Sequence, residues 1–324
     1  MFKRLIPLCL LAISTAEAAE TAPNVIKVGA LAFGTLNWEL AVIKNQKLDT
    51  ANQIRIETTE LASPEAGRIG LQGNSIDIMV SDWIWVARQR SQGKDYTFAP
   101  FSSSHGALMV AKESPIHDIA DLAGKRLGVA GGGMDKNWLL LKSVAKKTTG
   151  LDLEQRATVT FGAPPLLNQS LLQGQLDALL TYWNFAAKLE PRGYRQIIDG
   201  RAIQAALGIE NDVPALGYIF RDSWAKANRE AVDAFLKATT EARKEICESD
   251  IVWQEVRFLT QEKDTAVQSA LRKRYCDGRV FAFGEKEIQS AQQIFEQIEP
   301  LSNPTAVGNT PTLPAGVFWS KSSH

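Results

Sequence analysis

The stretch VAGGGMDKNW, Val129 to Trp138, is the clearest place where residue types and spacing could do chemistry. Three consecutive glycines separate an apolar run from what reads as the first turn of a helix. Such a junction can bring unpaired backbone N–H groups close to an anion. A nucleotide phosphate does not fit, because a P-loop needs G-x-x-x-x-G-K-[ST] and Lys136 follows Asp135 with no hydroxyl residue after it. Gly131 and Gly133 begin a dinucleotide fingerprint, yet Lys136 stands where its third glycine belongs. What remains is a turn that holds a small solute, or one that simply leads into a packed helix.

Other reactive groups are sparse. Ser102-Ser103-Ser104-His105 sets hydroxyls beside an imidazole, but consecutively rather than on the G-x-S-x-G elbow of a hydrolase, so it reads as a loop. The histidines are His105, His117 and His324, none near Cys247 or Cys276 in sequence; no metal site and no cofactor are expected.

The elements that must carry these residues alternate. Short β-rich runs at Val25–Leu31, Ile54–Thr59, Ile76–Asp82, Arg126–Gly131, Ala157–Ala163 and Asp177–Trp183 are separated by helical patterns, the signature of βαβ units around mostly parallel sheets. Leu36, Leu40 and Ile43 form one apolar stripe, and Met134, Trp138, Leu141 and Ala145 another, which puts Trp138 in the core. After Gly200 one strand is expected at Ala215–Phe220, then helices at Arg229–Glu248 and Lys286–Glu299, then an irregular arm from Pro300.

The chain opens MFKRLIPLCLLAISTAEAAE, a basic end, a short apolar core and an A-x-A site, which reads as a secretory signal cleaved after Ala18. Removing Lys3, Arg4 and Glu17 takes the formal charge from zero to minus one, so no basic excess exists to bind nucleic acid. Cys9 leaves with the leader, and Cys247 and Cys276 remain as an even pair in an oxidising compartment, where a disulfide is expected. Roughly 300 mature residues exceed one core, so two lobes are expected.

The leader, the opening I-K-V-G-x-L, G-N-S-I-D-I-M-V-S-D, I-x-D-L-x-G-K-R-L-G-V and L-x-Q-G-Q-L-D-A-L-L-T-Y-W, in that order, resemble solute-binding proteins of ABC importers. The subgroup handles sulfonates, nitrate or taurine, and thiamine pyrimidine precursors, and the likeness covers most of Val25 to Asp199. It implies an α/β fold of the type II periplasmic binding protein kind, two lobes joined by a two-crossing hinge. It also implies a periplasmic, monomeric, non-enzymatic protein that hands a small-molecule solute to a membrane permease, with permease and ATPase on separate chains. A partner role for a membrane sensor would use the same cleft, and a pyrimidine-precursor synthase shares the fold. The expected division is a leader at 1–18, a first lobe from 19–112 and 207–324, and an inserted lobe at 113–206.

Ligands of open parallel sheets bind beyond the carboxyl ends of strands. The residues there are Asn37 and Trp38, Asp82 and Trp83, Gly131, Gly132, Gly133 and Asp135, and Trp183 and Asn184, which form the expected ligand set. Asp82 and Thr35 also suit helix N-caps. Because these stretches hold carboxylates and indoles but no arginine, a neutral or amine-bearing solute is expected in preference to an anion.

Overall fold

The structure, a computed structural model, describes residues 24–302 and 312–320; the expected leader and Cys9 lie outside them. Among the described residues ten strands form two five-stranded sheets. The first 150 residues supply β1 (Asn24–Leu31), β2 (Ile54–Leu61), β3 (Ile78–Ser81), β4 (Tyr96–Ser102), β5 (Ala107–Val110) and β6 (Arg126–Ala130). Then follow β7 (Thr158–Gly162), β8 (Ala178–Thr181), β9 (Arg195–Asp199) and β10 (Leu216–Arg221). The sheets have orders β2-β1-β3-β10-β4 and β7-β6-β8-β5-β9. In each, three parallel strands are followed by one antiparallel strand, β10 or β5, that the chain enters on arriving from the other sheet. This is the two-lobed α/β architecture expected, with β4, β5 and β9 completing sheets whose other strands the periodicity had marked.

The helices are α1 (Leu36–Gln46), α2 (Leu48–Ala51), α3 (Pro64–Gln72), α4 (Trp83–Ser91), α5 (Lys136–Thr149), α6 (Leu153–Arg156) and α7 (Pro164–Leu172). After them come α8 (Trp183–Leu189), α9 (Gly200–Ala206), α10 (Asp222–Ala227), α11 (Arg229–Glu248), α12 (Asp250–Val256), α13 (Thr265–Asp277) and α14 (Glu285–Ser302). Local signals set their ends. Asp135 caps α5 by accepting from Asn137 N, and Gly150, at φ 72°, closes it in the left-handed conformation that costs glycine nothing.

Two stripes differ from expectation. Met134 lies in the turn before α5 and is 48% exposed, while Trp138, Leu141 and Ala145 are fully buried. On α1, Trp38 and Glu39 are buried as well as Leu36 and Ile43, because the helix is covered on a second side by α11 and its neighbours. The passage between lobes also comes earlier than 112: Ala107–Val110 already pairs with β8 and β9. The C-terminal helices, assigned by sequence to the first lobe, pack on both, α13 against α8 and α14 against α5. Pro300 falls inside α14 rather than after it, and the described tail docks on β4 through Phe98 N to Val317 O and Trp319 N to Phe98 O, both 2.8 Å.

Cys247 at the end of α11 and Cys276 in α13 form a disulfide 29 residues apart in sequence. Replacing both by serine should lower stability by about 3–4 kcal/mol in the chain-entropy picture. Urea unfolding of the oxidised and serine proteins would show a lower midpoint at an unchanged native far-ultraviolet spectrum.

Candidate functional site

Helix starts from both sheets converge on a cavity of about 110 Å³. From the first sheet come the turns β1–α1, β2–α3 and β3–α4; from the second, β6–α5 and β8–α8. Every one of these junctions lies at a strand's carboxyl end, where the N–H groups of the following helix point outward. Ser63, Asp82 and Asp135 cap α3, α4 and α5 with their side chains. Thr35, at the start of α1, makes no such bond, so the positive end of that helix is open to the cavity it lines.

The distinctive feature is a pair of buried polar atoms with no partner. Arg68, on α3, lines the cavity with its Nε unbonded, while its Nη2 stands 3.9 Å from Asp82 Oδ2 and its guanidinium lies over the Trp85 ring at 5.6 Å. Opposite, Asn137 is 4% exposed, and its Nδ2 donates to Asp135 Oδ1 at 3.0 Å. That contact orients the amide, leaving Oδ1 as a buried acceptor without a donor. Buried polar groups are nearly always bonded in native proteins, so an orphan donor and an orphan acceptor on two residues that line one cavity make it the candidate site.

Electrostatics sharpen this. Burial raises the Asp135 carboxyl above its ordinary range, and the Asp82 charge adds to the rise; Lys136, the Asn137 N–H and Arg68 pull it back only partly. Burial, with the nearby Asp135 charge, also raises the Tyr182 phenol, which therefore stays protonated and able to donate. Two cations, Arg68 and Lys136, and two carboxylates, Asp82 and Asp135, line the cavity, with aromatic walls at Phe33, Phe101 and Trp183.

Of the expected ligand set, Asp82, Asp135, Trp183 and Asn184 line this cavity. Asn184 also spans the lobes, its Nδ2 donating to Phe33 O at 3.3 Å. The others do not line it. Asn37 turns its amide onto Leu31 O and Gly34 O, at 2.8 and 3.0 Å, tightening the β1–α1 turn. Trp38 is 3% exposed in an aromatic cluster with Trp183, Trp253 and Tyr275, and Trp83 is packed near Phe318. The glycines shape the turn from behind. At φ 89°, Gly131 lies where a Cβ would come 2.9 Å from Asp135 Oδ2 and 3.0 Å from Tyr182 Oη, so its missing side chain lets those two groups approach.

The residues overlooked by sequence were Arg68, Asn137 and Tyr182. Asn137 and Tyr182 lie inside stretches already singled out. Arg68 follows Ser63-Pro64-Glu65, a capping serine and an N1 proline directly after a strand, and the same junction rule applied there would have reached it. The serine-histidine run is engaged elsewhere: Ser104 Oγ donates to Arg274 O at 2.9 Å, and His105 Nε2 pairs with Asp212. Among the described residues no group of His, Cys, Asp or Glu is arranged to hold a metal, and no helix is long and apolar enough to cross a membrane.

Comparison with known proteins gives a consistent result. Residues 74–249, just over half of the chain, match the NMT1/THI5 like family. Similar solved structures include the alkanesulfonate-binding protein SsuA from Xanthomonas axonopodis pv. citri bound to MOPS, 17% identical over 92% of this chain and 98% of that one, with a TM-score of 0.69. The periplasmic aliphatic sulphonate binding protein SsuA from Escherichia coli is 18% identical over 93% of each chain, with a TM-score of 0.70. An ABC transporter structure from Parabacteroides distasonis is 16% identical over 92% of this chain and 100% of that one, at 0.63. At these identities the likeness is one of fold, that of the periplasmic binding proteins. No match was found among curated proteins.

Proposed function

Because the chain belongs to the NMT1/THI5-like family, we propose that it is an exported solute-binding component of an ABC importer, which captures a small organic solute between its lobes and delivers it to a membrane permease. In this reading the protein is periplasmic and monomeric, has no catalytic role, and works with a permease and an ATPase encoded separately. The observation that carries the reading is that two residues lining one cavity ringed by helix starts, Arg68 from one lobe and Asn137 from the other, each hold a buried unsatisfied atom, Nε and Oδ1.

That pair also revises the expected solute. The preference for a neutral or amine-bearing molecule rested on the lack of arginine in four stretches, but Arg68 reaches the cavity from a fifth. A solute matched to the site carries a hydrogen-bond acceptor, neutral or anionic, for Arg68 and Lys136. It also carries an N–H donor for Asn137 Oδ1 and Asp135, with its body against Trp183 and Phe101. Asp82, Asn184 and Tyr182 complete the contacts. Closure follows as a population shift: a solute that bonds both lobes at once binds the closed arrangement better and so favours it.

A thermal-shift panel tests this. 2-Aminoethanesulfonate and aminopyrimidines carry both functions, ethanesulfonate only the acceptor and ethylamine only the donor. A ligand at 100 times its Kd stabilises by about 2.7 kcal/mol, which corresponds to a shift of about 4 °C in a chain of this size. Shifts of that size are expected only among compounds with both functions; equal shifts with ethanesulfonate or ethylamine alone would sink the assignment.

The raised Asp135 carboxyl predicts a pH dependence. Its folded pKa lies above the unfolded value, so the native state binds the proton more tightly, and this contribution to stability is present at low pH and lost as pH rises through the folded pKa. A cationic donor bound beside Asp135 favours its ionised form, so binding should release protons and weaken as pH falls through the same window. Calorimetry in buffers of differing ionisation enthalpy would count those protons, and Asp135→Asn should abolish them.

A further inference from the structure

Ser103, Ser104 and His105 do not line the candidate cavity, yet they occupy the first of the two passages between sheets. Ser103–Gly106 links β4 to β5, and the second passage, between β9 and β10, carries α9 and the loop that follows it. His105 joins the two. Its Nε2 lies 2.8 Å from Asp212 Oδ1 in the second passage, and its side chain is 4% exposed. The other Asp212 oxygen holds Arg201, on α9, at 3.0 Å. Gln204, also on α9, brackets the following residue, accepting from Val213 N at 3.0 Å and donating to Val213 O at 3.4 Å, with its Nε2 3.5 Å from His105 Nε2.

The packing is close at the two glycines, although Ser103, Ser104, His105 and Arg201 also line an open cavity of about 230 Å³ on another side. A Cβ on Gly200, the first residue of the second passage, would sit 2.7 Å from His105 Nδ1, and Gly200 N donates to Gly106 O at 3.0 Å. On its other side Gly106 abuts the solute cavity: a Cβ there would lie 2.5 Å from Thr181 O and 3.0 Å from Asn137 Nδ2. The first half of the loop is tied elsewhere, Ser103 N to Gly278 O at 2.8 Å and Ser104 Oγ to Arg274 O. The Ser103–Gly106 loop is thus where both passages, the end of α13 and the Asn137 side of the cavity meet, and His105 is its link to the second passage.

We propose that His105 is a positioning residue of the interlobe hinge: its bond to Asp212 makes the two passages move as one and, through Gly106, holds Asn137 in register with the solute. Hinge closure concentrates backbone rotation in a few residues of each passage. A partly buried cross-link between passages rejects arrangements in which one has turned and the other has not, so the lobes have few intermediate separations. Without it the passages rotate independently.

The test uses the full mature chain without solute, so a wrong assignment of the solute class leaves its outcome unaffected. Nitroxide labels are placed on Lys94→Cys and Gln155→Cys, both exposed, one beside each sheet, and the interlobe distance distribution is measured by pulsed dipolar spectroscopy. His105→Ala is expected to broaden the distribution and to change the ratio of wide to narrow separations by about tenfold, the scale set by one hydrogen bond to a charged group. Asp212→Ala should do the same, and carries the test by itself if the histidine variant does not fold. His105→Gln, whose amide can donate to Asp212, should restore the narrow distribution. An unchanged distribution in folded His105→Ala or Asp212→Ala protein, even with a lowered melting temperature, overturns the proposal, as does a His105→Gln protein that behaves like the alanine variant.

Discussion

Arg68→Met is expected to weaken solute capture about a hundredfold while leaving the protein folded. The guanidinium Nε is buried and unbonded and Nη2 is 3.9 Å from Asp82, so the group is held by weak contacts on a residue that lines the cavity. A hydrogen bond to a charged group contributes about 1.5–3 kcal/mol, whose upper part corresponds to a factor of about one hundred in Kd. Methionine keeps the unbranched stem and its packing against Trp85, so stability should change by less than about 1 kcal/mol. Titration calorimetry with the solute recovered from the wild-type protein, beside urea unfolding of the empty proteins, separates the two effects. A wild-type Kd in the Arg68→Met protein would show that the guanidinium meets no ligand.

Glu39→Ala is expected to cost about 3–5 kcal/mol of stability, the scale for removing one partner of a buried ion pair and leaving the other charge uncompensated. Glu39 is fully buried on α1, where its Oε2 accepts from Tyr218 Oη at 2.5 Å and its Oε1 from Tyr275 Oη at 2.7 Å, with Arg243 Nε at 3.4 Å. Burial and the Glu39 charge hold both phenols well above their ordinary range, so each stays a donor. The network reaches the solute cavity, since Arg243 Nη1 donates to Phe101 O at 3.2 Å and the guanidinium lies over the Phe101 ring. Chemical unfolding should show the loss, and Glu39→Gln, which keeps an acceptor for one tyrosine, should lose less. A stability within 1 kcal/mol of wild type for Glu39→Ala would mean that the pair is not held together in the folded chain.

These two residues show how far sequence reasoning reached. Glu39 reads as an ordinary acidic residue in a first helical turn, and nothing near it signals burial, because its partner Arg243 is 204 residues away. Asp82 and Asp135 were legible, since a capping residue at a strand-to-helix junction is a local pattern and such junctions in parallel sheets face the cleft. Trp38 and Trp83 were misplaced for the opposite reason. A place just beyond a strand's carboxyl end says nothing of what covers the residue from elsewhere, and α11, α13 and the C-terminal tail bring the cover that buries them.

The sequence by itself determined the repeating strand-and-helix units, the paired cysteines, the glycine turn and the family likeness, all of which rest on periodicity, parity or motifs within a few residues. Only the tertiary structure decided which helix starts share a cavity, that Arg68 is among them, where the chain passes between sheets and that His105 meets Asp212 there. The physical reason is that a period of two or 3.6 residues reports that a face is covered without saying by what. The covering groups come from distant parts of the chain, and they alone bring Arg68 and Asn137 to one cavity with Nε and Oδ1 buried and without a partner.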